Sequence, residues 1–339
     1  MVIFFVYFCN SKTYFVDYIK KIQASIADDL QLFNEQFRQT MQHDNPLLQT
    51  ALSHILQRTG KLMRPTLVFL SARMVGKVNQ DVVNAAISLE LLHTASLVHD
   101  DVVDESDRRR GQASVNALLD NQAAVLVGDF LLSKAIQHAA FTQNTQFLSY
   151  VGQLGQSLAD GELLQLDVTS YDKIEEASYY EIIRKKTASL FAVCAQAGAL
   201  LAGGSSDDVE RMRQIGQLIG VSFQLRDDLF DYDASVDVGK PTGNDMKEGK
   251  LTLPVIHALL KASDDEMLLL ARKVRSGEAS IEEINRLVRF AKENDGIEYA
   301  HWAIDEFRMM ARGMVEENKD SAITESLLEY IDYACNRMF

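Results

Sequence analysis

Residues that break regular structure are scarce in this chain. Four prolines and 18 glycines serve 339 residues, too few to punctuate many short strands, so long helices are favoured. Cysteine is scarcer still. Cys9, Cys194 and Cys335 are odd in number and far apart, with neither metal-ligand spacing nor a disulfide framework, and a reducing cytoplasm is expected. Positive charge is also in deficit: 34 Lys and Arg stand against 48 Asp and Glu, a net charge of −14. That balance excludes general affinity for nucleic acid and for anionic membrane surfaces. The apolar start MVIFFVYF lacks a positive leading region and is too short to span a bilayer, and no transmembrane segment is expected in the chain. Residues 1–15 are read as an N-terminal extension and 16–339 as a single all-helical domain. Hydrophobic residues make up 47% of the chain, enough for a sizeable core.

Periodicity supports this reading. From Tyr18 to Gln42, Ile19, Ile22, Ile26, Leu30, Phe33 and Phe37 form one stripe at steps of three and four, which predicts an amphipathic helix. A second helix is expected from about Leu47 to Arg58. GKLMRP follows, with Lys61 and Arg64 at a helix start and Pro65 in the first turn. Free helix N–H groups and two cations make an anion site; a pair of surface cations is the alternative. Val82 to Val98 is apolar enough for a buried central helix, and it runs into Asp100, Asp101 and Asp104. On a helix through Asp104, Asp100 and Asp104 share one face and repel. A bare fold gains nothing from that, whereas a bound cation offsets it, and oxygen ligands suit Mg²⁺. A solvated acidic helix end is the competing reading. His99 beside Asp100 would also suit an HD-type phosphohydrolase, but no further His-rich set supports it.

The spacing recurs. FQLRDDLFDY, Phe223 to Tyr232, carries Asp227, Asp228 and Asp231, with Gln224 three residues before the first. Two such motifs facing across a cavity would hold several divalent ions around one polyanion. Between them, helices are expected over Asn116–Ala140, where Gly128-Asp129 suggests close helix contact, and over Gln146–Val168, which contains Gln165. Ser178-x-x-Glu181 reads as a capping box opening a helix through Lys186-Thr187. Ser205-x-x-Asp208, Ser263-x-x-Glu266 and Ser280-x-x-Glu283 read as caps too. Asp233 to Lys250 reads as a loop able to act as a lid, carrying Lys240 and Lys250.

From about Gly60 to Pro254 the chain resembles the trans-isoprenyl diphosphate (polyprenyl) synthases, long-chain type, whose two aspartate-rich motifs look like DDVVD and DDLFD here. The resemblance implies an all-α fold, a single large helical bundle with a central cavity (the isoprenoid synthase fold), assembled as a homodimer. It implies a Mg²⁺-dependent prenyltransferase that condenses an allylic diphosphate with isopentenyl diphosphate. Asp100, Asp101, Asp104, Asp227, Asp228 and Asp231 would be metal ligands, with several Mg²⁺ ions bridging the allylic diphosphate. Lys61, Arg64, His93 and Arg110 would hold isopentenyl diphosphate. Arg109, Lys186 and Thr187 would meet the allylic diphosphate, with Gln224, Lys240 and Lys250 also in the substrate site. Asp100, Asp104, Asp227, Lys186 and Arg109 are the expected catalytic residues.

Ala95 and Ser96, with Leu92 and Leu89 behind them, would set chain length. All are small or aliphatic where short-chain members often carry an aromatic floor. A long linear product for quinone side chains is therefore expected, with transient membrane contact for its release. A short-chain farnesyl or geranylgeranyl diphosphate synthase is the first alternative. A terpene cyclase typically replaces the second motif by an Asn/Ser/Glu triad, and a non-catalytic subunit usually loses aspartates. Neither change is present.

Overall fold

A computed structural model describes residues 11–57, 60–109, 111–168, 174–232, 243–316 and 322–336. The chain opens with Ser11–Ala24 (α1), Ala27–Thr40 (α2), Pro46–Leu56 (α3), Met63–Val75 (α4) and Gln80–Val103 (α5). A two-residue hairpin, Arg108–Arg109 (β1) and Gln112–Ala113 (β2), follows α5. Val115–Leu118 (α6), Asn121–Phe141 (α7), Thr145–Val168 (α8) and Glu176–Ile183 (α9) come next. A π-helical turn, Arg184–Ala188, joins α9 to Ser189–Leu201 (α10) and Ser206–Phe230 (α11). Asn244–Lys247 (α12), Leu253–Ala262 (α13), Asp265–Arg275 (α14), Ile281–Glu293 (α15), Gly296–Glu316 (α16) and Ala322–Asn336 (α17) complete the fold.

The bundle is all-α apart from the small hairpin. Its interior is made by α4, α5, α7, α10 and α11, with α5 packed on α7, α4 and α10, and α10 on α4 and α11. The expected stripe of Ile19, Ile22, Ile26, Leu30, Phe33 and Phe37 is buried throughout. It lies on two helices, not one. The Ser25 hydroxyl donates to the Ile22 carbonyl and Ile26 N–H to the Gln23 carbonyl, which ends α1 early. The acidic first turn at Asp28 and Asp29 then favours a fresh start. α1 begins at Ser11, ahead of residue 16 where the domain is expected to open.

Other boundaries shift for local reasons. Asp120 caps α7 through Ala123 N–H and so divides the helix expected from Asn116. The boxes at Ser205 and Ser280 form. Those at Ser178 and Ser263 do not. Ser178 lies inside α9, whose cap position is Glu175, and Asp264 takes the capping role ahead of α14 through Met267 N–H.

α5 and α7 are long and apolar enough to cross a membrane by length and composition, a property not anticipated above. For α5 the reason is its place in the core, with 67% of its most apolar window buried. The same window of α7 is only 39% buried. Val125, Leu126, Leu132 and Ile136 stand exposed on it.

At the far end of α5 and α7 from the carboxylates lies a buried polar cluster. The His138 ring bridges Asn84 Oδ1 (3.2 Å) and Thr40 Oγ1 (3.0 Å). Burial, then the nearby Lys134 charge, holds its pKa down from 6.5 to about 4, so the ring is neutral when folded. The unfolded chain therefore binds more protons between pH 6.5 and 4, and stability is lost as pH falls through that window. The loss is expected to reach about 2–3 kcal/mol at its lower end. In chemical-denaturation curves taken across this range, His138→Gln should flatten the decline; an unchanged slope would refute the assignment.

Candidate active site

The first carboxylate wall is the end of α5. Its three aspartates differ sharply. Asp101 turns inward, 2% exposed, and accepts a hydrogen bond from Arg109 Nε at 2.7 Å. The hairpin makes this possible: Gly111, with φ of +79°, turns the chain so that Arg109 pairs with Gln112 and folds back over Asp101. Asp100 and Asp104 point elsewhere, and among the described residues their carboxylates make no hydrogen bond. Burial raises the Asp100 pKa to about 6, with Glu162 and Asp104 adding to the rise and Lys186 and Arg109 opposing it. Asp101 thus holds an arginine, while Asp100 and Asp104 form an open i,i+4 pair.

The second wall is the end of α11. Asp228 is buried and doubly engaged: the Tyr179 hydroxyl donates to Oδ2 (2.5 Å) and Gln224 Nε2 to Oδ1 (2.7 Å). Thr187 Oγ1 in turn donates to Gln224 Oε1 at 2.7 Å. Asp231 accepts the backbone N–H groups of Asn244 (2.8 Å) and Asp245 (3.0 Å). It thereby starts α12 inside the stretch expected to be loop. That helix presents Asp245, a carboxylate the sequence pattern did not single out. Burial and neighbouring carboxylates push both Asp228 and Asp245 upward in pKa. Such a wall favours a bound positive charge.

Two lysines stand between the walls. Lys186 Nζ lies 2.5 Å from Glu162 Oε2 and 3.5 Å from Gln165 Oε1, within electrostatic reach of Asp100. Glu162, on α8, also escaped the sequence reading. Burial works to lower the Lys250 pKa, but its hydrogen bond to Glu248 and the charges of Glu248, Asp104 and Asp245 outweigh it. Lys250 therefore senses Asp104 of the first motif and Asp245 of α12 beside the second. Lys186, Thr187, Gln224, Asp228, Asp245 and Lys250 line one cavity of about 160 Å³. Arg110 and Lys240 lie outside the described residues.

Lys186 and Thr187 owe their placement to the π turn, which widens the helix locally. Two glycines admit it. A Cβ on Gly161 would fall 2.9 Å from Lys186 N, and one on Gly220 would fall 2.5 Å from Ala188 Cα. Gly220→Ala is expected to cost about 1–3 kcal/mol through overpacking and to lower turnover about tenfold or more by displacing Lys186. Thermal melting and initial rates test this, and wild-type values for both would show slack in the turn. The close contact expected at Gly128 is present: a Cβ there would meet His99 Nε2 at 2.2 Å.

A second cavity, about 80 Å³, opens on another face of α5. Gly60, Leu62, Glu90, His93, Asp101 and Arg109 are among its lining residues. Arg109 thus belongs to this cavity while lying within reach of Asp100. The cations of the GKLMRP loop rest on aromatic faces: Lys61 Nζ sits 5.4 Å from the Tyr333 ring centre and the Arg64 guanidinium 5.6 Å from that of Phe191. Neither side chain lines the cavity as it stands.

The four positions expected to set chain length are on α5, but not on one face. By about 100° per residue, Ser96 and Leu89 lie within about 40° of Asp100, Leu92 about 80° away and Ala95 about 140° away. Ala95 shares the α7-facing side with His99 and with Ser88, whose hydroxyl donates to Ala135 O. Its small size therefore serves the α5–α7 contact, and Ser96 is the residue beneath Asp100.

Among the described residues no three carboxylates or histidines converge closely enough to hold an ion unaided. The donor set still fits Mg²⁺, which keeps several waters and completes its shell with substrate phosphate. Asp100 and Asp104 offer hard oxygens with no competing hydrogen bond among the described residues, and the lysines beside them suit a polyanion.

The polyprenyl synthetase family model matches residues 45–291. An octaprenyl diphosphate synthase of Haemophilus influenzae is 34% identical over 322 residues, covering 95% of this chain and 98% of its own. Among solved structures, a geranylgeranyl pyrophosphate synthase from Bacteroides thetaiotaomicron is similar at 43% identity and a TM-score of 0.83, over 95% of this chain and 100% of its own. A decaprenyl diphosphate synthase from Rhodobacter capsulatus is similar at 31% identity and a TM-score of 0.87, over 95% and 99%.

Proposed function

The chain is a prenyltransferase belonging to the polyprenyl synthetase family, and on that premise we propose that it lengthens an allylic diphosphate with isopentenyl diphosphate to a long, linear all-trans product. The observation that carries this reading is the pair of lysines, Lys186 and Lys250, set between two carboxylate walls over one cavity. A diphosphate with Mg²⁺ satisfies both signs of charge at once. Asp100, Asp104 and Asp227 would hold the ions, with Asp228 and Asp231 fixing the second wall through their hydrogen bonds. When bound, Mg²⁺ supplies neutralisation of the charge on the departing diphosphate.

Lys186 adds to that neutralisation at the leaving oxygens, where charge develops as the allylic carbon ionises. Gln224 and Thr187, locked to Asp228 by a chain of hydrogen bonds, hold their polar atoms fixed on the cavity wall. The Lys61–Arg64 loop and His93 orient isopentenyl diphosphate so that its double bond attacks, and Arg109, expected at the allylic diphosphate, reaches this second cavity as well. Its proton leaves to the freed diphosphate, and the chain is one unit longer.

Octaprenyl and decaprenyl synthases among the relatives and the small Ser96 beneath Asp100 support a long product. A twenty-carbon product is the second reading, favoured by the 43% identity to a geranylgeranyl pyrophosphate synthase. Assembly as a homodimer through the exposed apolar side of α7 is part of the proposal, since such a patch favours a partner over water. So is a cytoplasmic setting, in keeping with the buried free thiols Cys194 and Cys335. The test is incubation of the purified chain with Mg²⁺, isopentenyl diphosphate and an allylic primer, with products sized by chromatography. Linear products beyond twenty carbons are expected. A stop at twenty selects the second reading, and cyclic hydrocarbon or no product removes both.

A further inference from the structure

The turn that carries Lys61 and Arg64 is held from outside the stretch that the family model matches. Leu62, at the cap of α4, has φ of +51°, a left-handed conformation that a branched apolar side chain adopts only when its surroundings impose it. Two remote elements impose it here. From α1, the Gln23 side-chain amide donates both to the Lys61 carbonyl and to Thr66 Oγ1, each at 3.0 Å. From α17, the buried Tyr330 hydroxyl donates to the Met63 carbonyl at 2.8 Å. The bonded groups, at Lys61, Met63 and Thr66, bracket the turn on both sides. Helices α1 and α17 pack on each other, and α17 packs on α4, so the brace is continuous.

Resting on the reading of this loop as the isopentenyl diphosphate site, we propose that Gln23 and Tyr330 are positioning residues for that substrate. They fix the left-handed turn and so set where Lys61 and Arg64 project. Neither touches the substrate. The signature is therefore a substrate-selective change in KM, not a general loss of rate.

Gln23→Leu removes both amide donors at similar volume, and Tyr330→Phe removes only the hydroxyl. Loss of one neutral hydrogen bond corresponds to about a five-fold change. KM for isopentenyl diphosphate is expected to rise about five-fold in Tyr330→Phe and about five- to thirty-fold in Gln23→Leu. KM for the allylic substrate and kcat should stay within about two-fold of wild type. Repeating Gln23→Leu in a Lys61→Ala background should shrink its effect, because the brace acts through the residue already removed. A raised KM in Lys61→Ala with none in Gln23→Leu and Tyr330→Phe would overturn the brace alone. So would equal rises for both substrates, or full additivity in the double variant. An unchanged KM in Lys61→Ala itself would remove the underlying site reading, and the brace with it.

Discussion

Asp100→Ala is expected to lower turnover by about three decades without lowering the melting temperature measured in the absence of Mg²⁺. Both halves follow from the same geometry. Asp100 is a carboxylate forced toward neutrality by burial, with Glu162 and Asp104 adding like charge. Its removal relieves repulsion and creates no orphaned partner among the described residues. What is lost is one of the three carboxylates, Asp100, Asp104 and Asp227, proposed to hold the ions against the leaving diphosphate. Asp101→Ala should behave in the opposite manner. It strips Arg109 of the carboxylate it bonds at 2.7 Å and leaves a gap in a buried site, so melting should fall along with rate. Rates at saturating substrate and metal-free melting curves separate the two. Near-normal turnover in Asp100→Ala would take the first motif out of the mechanism, and a melting loss equal to that of Asp101→Ala would show that Asp100 is a structural group.

Ser96→Phe should turn a long product into a short one. The tail of a bound allylic diphosphate leaves the carboxylate wall along the side of α5 that carries Asp100, and Ser96 is one turn below, about 6 Å back along the axis. An aromatic ring there stands across the path, and product length should fall to about the fifteen- to twenty-carbon class while the first condensations proceed. Ala95→Phe is the control. Its ring would be driven into the α5–α7 contact beside Ser88 and Ala135, and the expected result is a stability loss of about 1–3 kcal/mol. Chromatography of extracted products and melting of both variants settle the matter. Ser96→Phe that folds normally and makes the wild-type product would end the channel argument, and a short product from Ala95→Phe at unchanged stability would move the channel to the α7 side.

The contrast between those two residues shows where sequence reasoning reaches its limit. Helix content, the buried stripe from Ile19 to Phe37, the paired aspartate motifs and the lysine beside them are local or periodic signals, and they are legible. Facing direction is legible as well: counting 100° steps from Asp100 already separates Ser96 from Ala95. What no periodicity carries is which neighbour occupies each face, and that comes from tertiary packing. Glu162 and Asp245 were invisible for the same reason. Glu162 looks like any polar residue of an amphipathic α8, and Asp245 enters the site only because Asp231 accepts two backbone N–H groups and winds α12. The spacing sets Asp100, Asp104 and Asp227 apart as principal ligands, but not the partners that engage the others: Arg109 holds Asp101, and Tyr179 with Gln224 hold Asp228.

The π turn at Arg184–Ala188 has a consequence for how this segment tolerates change. A π turn amounts to one residue more than a regular helix needs over the same span. Deleting one of the five would heal α9 and α10 into a continuous α-helix over the same span, leaving the flanking helices in register and removing the wide turn that sets Lys186 and Thr187 toward the cavity. Lys186 or its replacement would then leave the cavity even though every side chain in the segment remained basic or small. Side-chain swaps between Arg184 and Ala188 should therefore be graded in effect. A single-codon deletion there should be all or none, so the constraint on this stretch is one of length before it is one of identity.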